Sequence, residues 1–157
     1  MGMDVFGIKP TTENGKYFRS NLWSWRPIHF LCEYLNEKNN LGLDLTSWEY
    51  NDGAGLNSKQ SKILAKKLEQ YLDNHPYLKE DDDRMYICLG CWSDVDNKFV
   101  DSTTDRKLSK QYKKGTVLYS SVVTKGGKIV TSSHSTSLSH FKNFITFLNS
   151  CGGFSIH

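Results

Sequence analysis

The chain opens and closes on short runs with the period of a β-strand, and its longest apolar patterns between them have the period of a helix. Met3–Ile8 reads as a strand ending at Gly7 and Pro10. TTENGK follows, with Asn14-Gly15 as the turn signal, and Tyr17–Leu22 continues as a second extended piece. Trp25, Ile28, Leu31 or Cys32, and Leu35 then recur at helical spacing. Ser24 is the expected N-cap of that helix, Pro27 falls in its first turn, and Gly42 or a preceding asparagine supplies the left-handed end. Leu43–Tyr50 fits neither period.

NDGAGLN, residues 51–57, reads as a loop feeding a second helix. Asn57 and Gln60 have capping-box spacing, and Gln60, Ile63, Leu64, Leu68, Tyr71 and Leu72 form the apolar face. Asp73-Asn74-His75-Pro76 ends it. Met85–Trp92 reads as a strand, and Ser93–Gly115 as a long polar excursion. Thr116–Thr124 and Lys128–Ser133 form a hairpin about Gly126-Gly127. A last helix spans about Leu138–Ser150, capped by Ser137, with Phe141, Phe144, Ile145 and Leu148 facing the core. Gly152-Gly153 stops it, and Phe154–Ile156 is a terminal strand.

These elements predict one α+β domain over residues 1–157. Its antiparallel or mixed sheet is packed against about three amphipathic helices, with the first and last strands close together at the sheet centre. Neither a repeat nor a linker divides the chain. At 157 residues it is long enough to bury a core, and its 13% aromatic content gives that core to Phe, Tyr and Trp.

The formal charge of +3 is too small to point to a phosphate-tracking nucleic-acid partner. No run approaches the roughly 20 apolar residues of a membrane span, and MGMDVFGIKP has no signal-peptide pattern. The expected setting is the cytosol of a bacterium or of a phage-infected one, where the four cysteines are thiols.

The chemistry is concentrated in Tyr17–Phe30, where Arg19 and Arg26 sit among aromatic rings. Exposed Trp faces stack on flat ligands and guanidinium groups hold carboxylate or phosphate, so Arg19, Asn21, Trp23 and Arg26 are candidate partner contacts. The plainer reading buries Trp25, has Trp23 half-cover it and pairs an arginine with Asp4 or Glu33. Asn51 and Asp52 of the NDGAGL loop are expected beside this segment, although the loop lacks a phosphate-binding lysine and most such loops simply turn the chain. Cys88-Leu-Gly-Cys91 is half of a zinc site; Cys88 and Cys91 would need two distant ligands from Cys32, Cys151, His134, His140 or His157. The alternative is a pair of buried thiols and no cofactor.

No GxSxG, HExxH or paired-carboxylate motif supports catalysis. Cys32 and His29 share a helix face, but a core cysteine beside a partly exposed histidine accounts for them. MGMDVFG with YFRSNLWSWRP, NDGAGL, and FITFL ahead of GGFSI resemble a family of small proteins of bacteria and phages with no assigned activity. The resemblance implies the whole domain and, from phage carriage, a counter-defence role. The leading expectation is a non-enzymatic binding or inhibitor protein acting on a protein or nucleotide-containing partner. The alternatives are a small enzyme using a nucleotide-like ligand near Arg19, Trp23 and Asp52, and a zinc-stabilised structural protein.

Overall fold

The computed structural model describes residues 2–74, 136 and 138–157, together with the strand segments Glu80–Asp81, Arg84–Met85, Cys91–Ser93, Lys98–Val100, Ser121–Val123 and Ile129–Thr131. In chain order the elements that build the main sheet and its helices are β1 (Gly2–Gly7), β2 (Tyr17–Asn21), α1 (Leu22–Lys38), β3 (Gly55–Asn57) and α2 (Ser58–Asp73). The short strands β4 to β9 occupy the six segments just named, in that order, and α3 (Leu138–Ser150) and β10 (Gly153–Ile156) close the chain. The class is α+β.

The main sheet has the order β2-β1-β10-β3, antiparallel throughout. Its two central strands are the first and the last, as the sequence led us to expect. Val5 is opposite Ile156 on one side and opposite Phe18 on the other. Asp4 and His157 extend the central pair by exchanging two backbone hydrogen bonds, of 3.0 and 2.7 Å. Strand period decides which residues face which way. Met3, Val5, Phe18, Leu56, Phe154 and Ile156 are buried on the inner face, where they join residues of all three helices in one core.

The helix ends show where local chemistry was legible. At α2, Asn57 and Gln60 form the expected capping box, each side chain accepting from the other's backbone N–H. Its buried face is Ser61, Leu64, Ala65, Leu68 and Tyr71, whereas Ile63 lies on the exposed side. At α1 the expectation of a Ser24 cap is corrected. Asn21 is the cap, its side chain accepting from the Ser24 N–H at 2.8 Å, so the helix starts at Leu22. Asn and Ser are equivalent as caps, and the earlier one sits where β2 already leaves an extended residue. Pro27 therefore falls inside the helix rather than in its first turn, removing a bond to the Trp23 carbonyl.

The unassigned stretch 43–50 has its own logic. It carries Leu43, Leu45 and Trp48 into the core without a ladder of its own. Side chains of α1 bind its backbone instead. Asn36 holds Leu43 through both its N–H and its carbonyl, His29 Nε2 lies 2.8 Å from the Leu45 carbonyl, and Trp25 donates to the Trp48 carbonyl at 2.7 Å. Trp48 then packs at 5.5–6.4 Å between ring centroids against Trp25, His29, Phe144 and Phe154, so it joins α1, α3 and the sheet.

The NDGAGL loop returns to the sheet through Gly53 N–H to the Ile156 carbonyl and Ile156 N–H to the Ala54 carbonyl. Gly55 lies so close to Phe154 that a Cβ there would sit 1.7 Å from its carbonyl oxygen. That is why the end of a loop-like sequence pairs as the edge strand β3. Among the shorter strands, β8 and β9 pair antiparallel across Gly126-Gly127, in agreement with the hairpin, and β6 pairs β8 in parallel. Ser137, expected as the α3 cap, lies outside the described residues.

Trp48→Ala is expected to cost about 3–5 kcal/mol, the range for a fully buried large aromatic. Asn57→Ala should cost about 1 kcal/mol, the value of a lost cap. Urea unfolding of the two variants checks both numbers.

Candidate functional site

All three helices pack on the inner face of the main sheet, and none of them covers the outer one. Alternation places Asp4 and Phe6 of β1 and Tyr17, Arg19 and Asn21 of β2 on that outer face. The antiparallel register then sorts them into rows running across the strands. Phe6 is opposite Tyr17, Asp4 opposite Arg19, and Gly2 opposite Asn21. Ser155 and His157 continue the first two rows into β10.

The first row is aromatic. Phe6 and Tyr17 are each 45% exposed, with ring centroids 5.1 Å apart, and the His157 ring leans in to 5.9 Å from Phe6. Two rings from neighbouring strands and a third just past the end of β10 thus form one stripe. Ile8, also exposed, lies just past the end of β1.

The second row is ionic. The Tyr17 hydroxyl donates to Asp4 Oδ1, and Arg19 Nε lies 3.6 Å from the same oxygen. The hydrogen bond to Asp4, then partial desolvation and the carboxylate charge, push the Tyr17 phenol above its usual value. It therefore stays a donor at neutral pH. The Arg19–Asp4 pair is exposed and adds little stability, so what it contributes is placement of the guanidinium beside the rings.

The third row is amide. Asn21 caps α1, and Asn51 donates to the Gly2 carbonyl at 3.3 Å. That contact ties the NDGAGL loop to β1 at Gly2, the residue opposite Asn21. Asp52 has a local task, its carboxylate accepting from the Ala54 N–H at 3.2 Å, a side-chain-closed turn.

Arg19, Asn21, Asn51 and Asp52 therefore lie on or beside one sheet face. Trp23 and Arg26 belong to the first turns of α1. Trp23 is 58% exposed, and Arg26 lies 4.0 Å from Glu49. Trp25 is fully buried, as the plainer reading had it. The sequence reading named His157 only as a distant zinc ligand and Asp4 only as an arginine's partner, and it did not place Phe6 or Tyr17 among the partner contacts. The signal was present for three of them, because alternation in two strands puts an aromatic or charged residue at each outward position.

Two arrangements that look like chemistry are accounted for by burial. Cys32 is fully buried, and burial pushes its thiol far above the range of a nucleophile. His29, expected to be partly exposed, is buried beside it because its ring holds the Leu45 backbone. Ser20 Oγ and His140 Nε2 lie 2.9 Å apart, a spacing familiar from hydrolases. Ser20 is only 2% exposed, however, and its hydroxyl also donates to the Asn21 carbonyl, so the contact satisfies a buried group rather than activating a nucleophile.

No cluster of three or more metal-binding side chains occurs among the described residues. Cys88 and the side chain of Cys91, the candidate zinc ligands, lie outside them. No helix among the described residues is long and apolar enough to cross a membrane. Comparisons with family models, curated proteins and solved structures gave no match.

Burial lowers the His140 pKa from 6.5. Below that value the unfolded chain binds a proton that the folded protein resists, so this group's contribution to stability falls as pH drops from about 6.5 towards the folded value. Unfolding midpoints across that window should decline in the wild type and decline less in His140→Gln.

Proposed function

We propose that the protein is a non-enzymatic binding or inhibitor protein that engages a protein or nucleotide-containing partner through the outer face of its main sheet. The observation that carries this reading is the stripe of exposed rings beside the Arg19 guanidinium, on a face that none of the described helices covers. An antiparallel sheet with one solvated face ordinarily alternates apolar inside with polar outside. Phe6 and Tyr17 break that alternation next to an arginine, the combination that dominates binding hot spots. The rows are braced from within: Asp4 is held by Tyr17 and by His157, and Asn51 ties the loop to Gly2. Preorganised side chains lose little freedom on binding. The two arrangements closest to catalytic pairs are buried, which favours binding over turnover. The counter-defence setting implied by the resemblance to phage-borne proteins belongs to the same proposal.

The test is capture of partners from bacterial lysate on immobilised protein, scored for both protein and nucleic acid. The wild type should retain a species that Phe6→Ala and Arg19→Ala each lose. All three proteins should unfold at the same temperature, since both side chains point outward. Retention by both variants would move the binding surface elsewhere, with Trp23→Ala as the next arm.

A further inference from the structure

We infer that the outer face of the main sheet binds single-stranded nucleic acid, stacking unpaired bases on Phe6 and Tyr17 with Arg19 at the backbone. This rests on the reading of that face as the binding surface and names its ligand.

Size is the first argument. Neighbouring strands are about 4.8 Å apart and same-face residues about 6.8 Å apart along a strand, so three rows on three strands span roughly 200–300 Å². A stable protein–protein interface needs about 800 Å² from each partner. The three rows match one to three nucleotides, and a protein partner would have to extend well beyond them.

Ring geometry is the second. Tyr17 and Phe6 come from β2 and β1 and His157 follows the end of β10, in spatial order, each ring within 6 Å of the next. Phe6 is tilted 44° to Tyr17 and 62° to His157, so the rings form no shared plane and each exposed ring offers its own face to a base, the contact by which single-strand binders hold bases irrespective of sequence. Duplex bases, already stacked on one another, offer no free face to such a row.

Charge is the third, and it limits any phosphate contact to very few sites. Arg19 stands beside the rings, and Lys16 lies next to Tyr17 in the chain. Arg19 and Lys16 pair with Asp4 and Glu13, and Asp52 adds a carboxylate in the adjoining loop, so the face carries no net positive charge. The formal charge of +3 weighs against a protein that tracks many phosphates, but not against one that holds bases. The expected signature is binding carried by stacking, with weak dependence on salt.

The probes are fluorescein-labelled twelve-nucleotide oligothymidylate and oligouridylate, titrated with protein and followed by anisotropy. A blunt duplex of the same length is the control. Both single strands should bind in preference to the duplex. Phe6→Ala and Tyr17→Ala should each weaken binding between about fivefold and a hundredfold, the range for one lost stacking platform. Tyr17→Phe, which keeps the ring and loses only the hydroxyl, should restore it to within about twofold of wild type. The slope of log affinity against log salt should stay at or below about 2, since each phosphate neutralised on a single strand contributes about 0.7. Proton NMR of the wild type gives a readout independent of the variants' folding, in which the Phe6 and Tyr17 ring signals should shift on adding oligothymidylate.

Single strands that give no anisotropy change and leave those ring signals unmoved would overturn the inference. So would a duplex bound as tightly as the single strands, or alanine variants that bind like wild type. If the oligonucleotides fail while Phe6→Ala and Arg19→Ala still lose a captured protein, the binding face stands and only its nucleic-acid ligand is refuted. If the lysate capture is also indifferent to both variants, the face itself is refuted.

Discussion

The structure depends on a pairing between the two ends of the sequence. β1 and β10 lie side by side at the sheet centre, and the edge strands β2 and β3 each attach to one of them. The bonds exchanged by Asp4 and His157 prolong that pairing to the last residue of β1's partner. Contacts so distant in sequence are slow to form, because the chain between them must be closed before they stabilise anything. Once they form, they position everything else. The inner side of the pair supplies Met3, Val5, Phe154 and Ile156 to the core, and its outer side supplies Asp4, Phe6 and His157 to the exposed rows.

The core and the candidate site are therefore two faces of the same strands. A one-residue slip between β1 and β10 would move the buried set outward and the rings inward together. The inner face fixes the register, since Val5 and Ile156 are both fully buried in a core that has no place for Asp4. Hydrophobic burial on one side thus sets the spacing of the rings and of the ionic pair on the other. The helices share in this because Trp48 and Trp25 hold α1 and the 43–50 segment to Phe144 of α3, and Trp48 reaches Phe154 of the sheet. Rigidity in the core is what keeps the outer rows in place with none of the described helices lying over them.

Much of the fold was legible from local chemistry. The Asn57–Gln60 box, the glycine pair after α3, and the apolar spacing of α1 and α3 have short-range causes, and each appears where the pattern puts it. The centrality of β1 and β10 was also readable, from two alternating termini. The 43–50 segment was not, because its conformation comes from α1 side chains that bond its backbone rather than from any period of its own. The α1 cap was misplaced by three residues since Asn21 and Ser24 are chemically equivalent there, and tertiary context chose the one that ends β2. The site was half legible. Arg19, Asn21 and Asn51 stood out by composition, but Phe6 and His157 gain meaning only from the register that sets them beside Tyr17 and Asp4. No local window contains that information.

The central claim is that one register buries Val5 and Ile156 while it exposes a row of rings on the opposite face. The most direct measurement is a nuclear Overhauser spectrum with a soluble paramagnetic relaxation agent present in a parallel sample. Cross-peaks are expected from the Phe6 ring to the Tyr17 and His157 rings, with the Phe6 and Tyr17 ring signals broadened by the agent and those of Trp25, Trp48 and Phe154 protected. Protected Phe6 and Tyr17 rings, or the absence of cross-peaks between them, would contradict that claim.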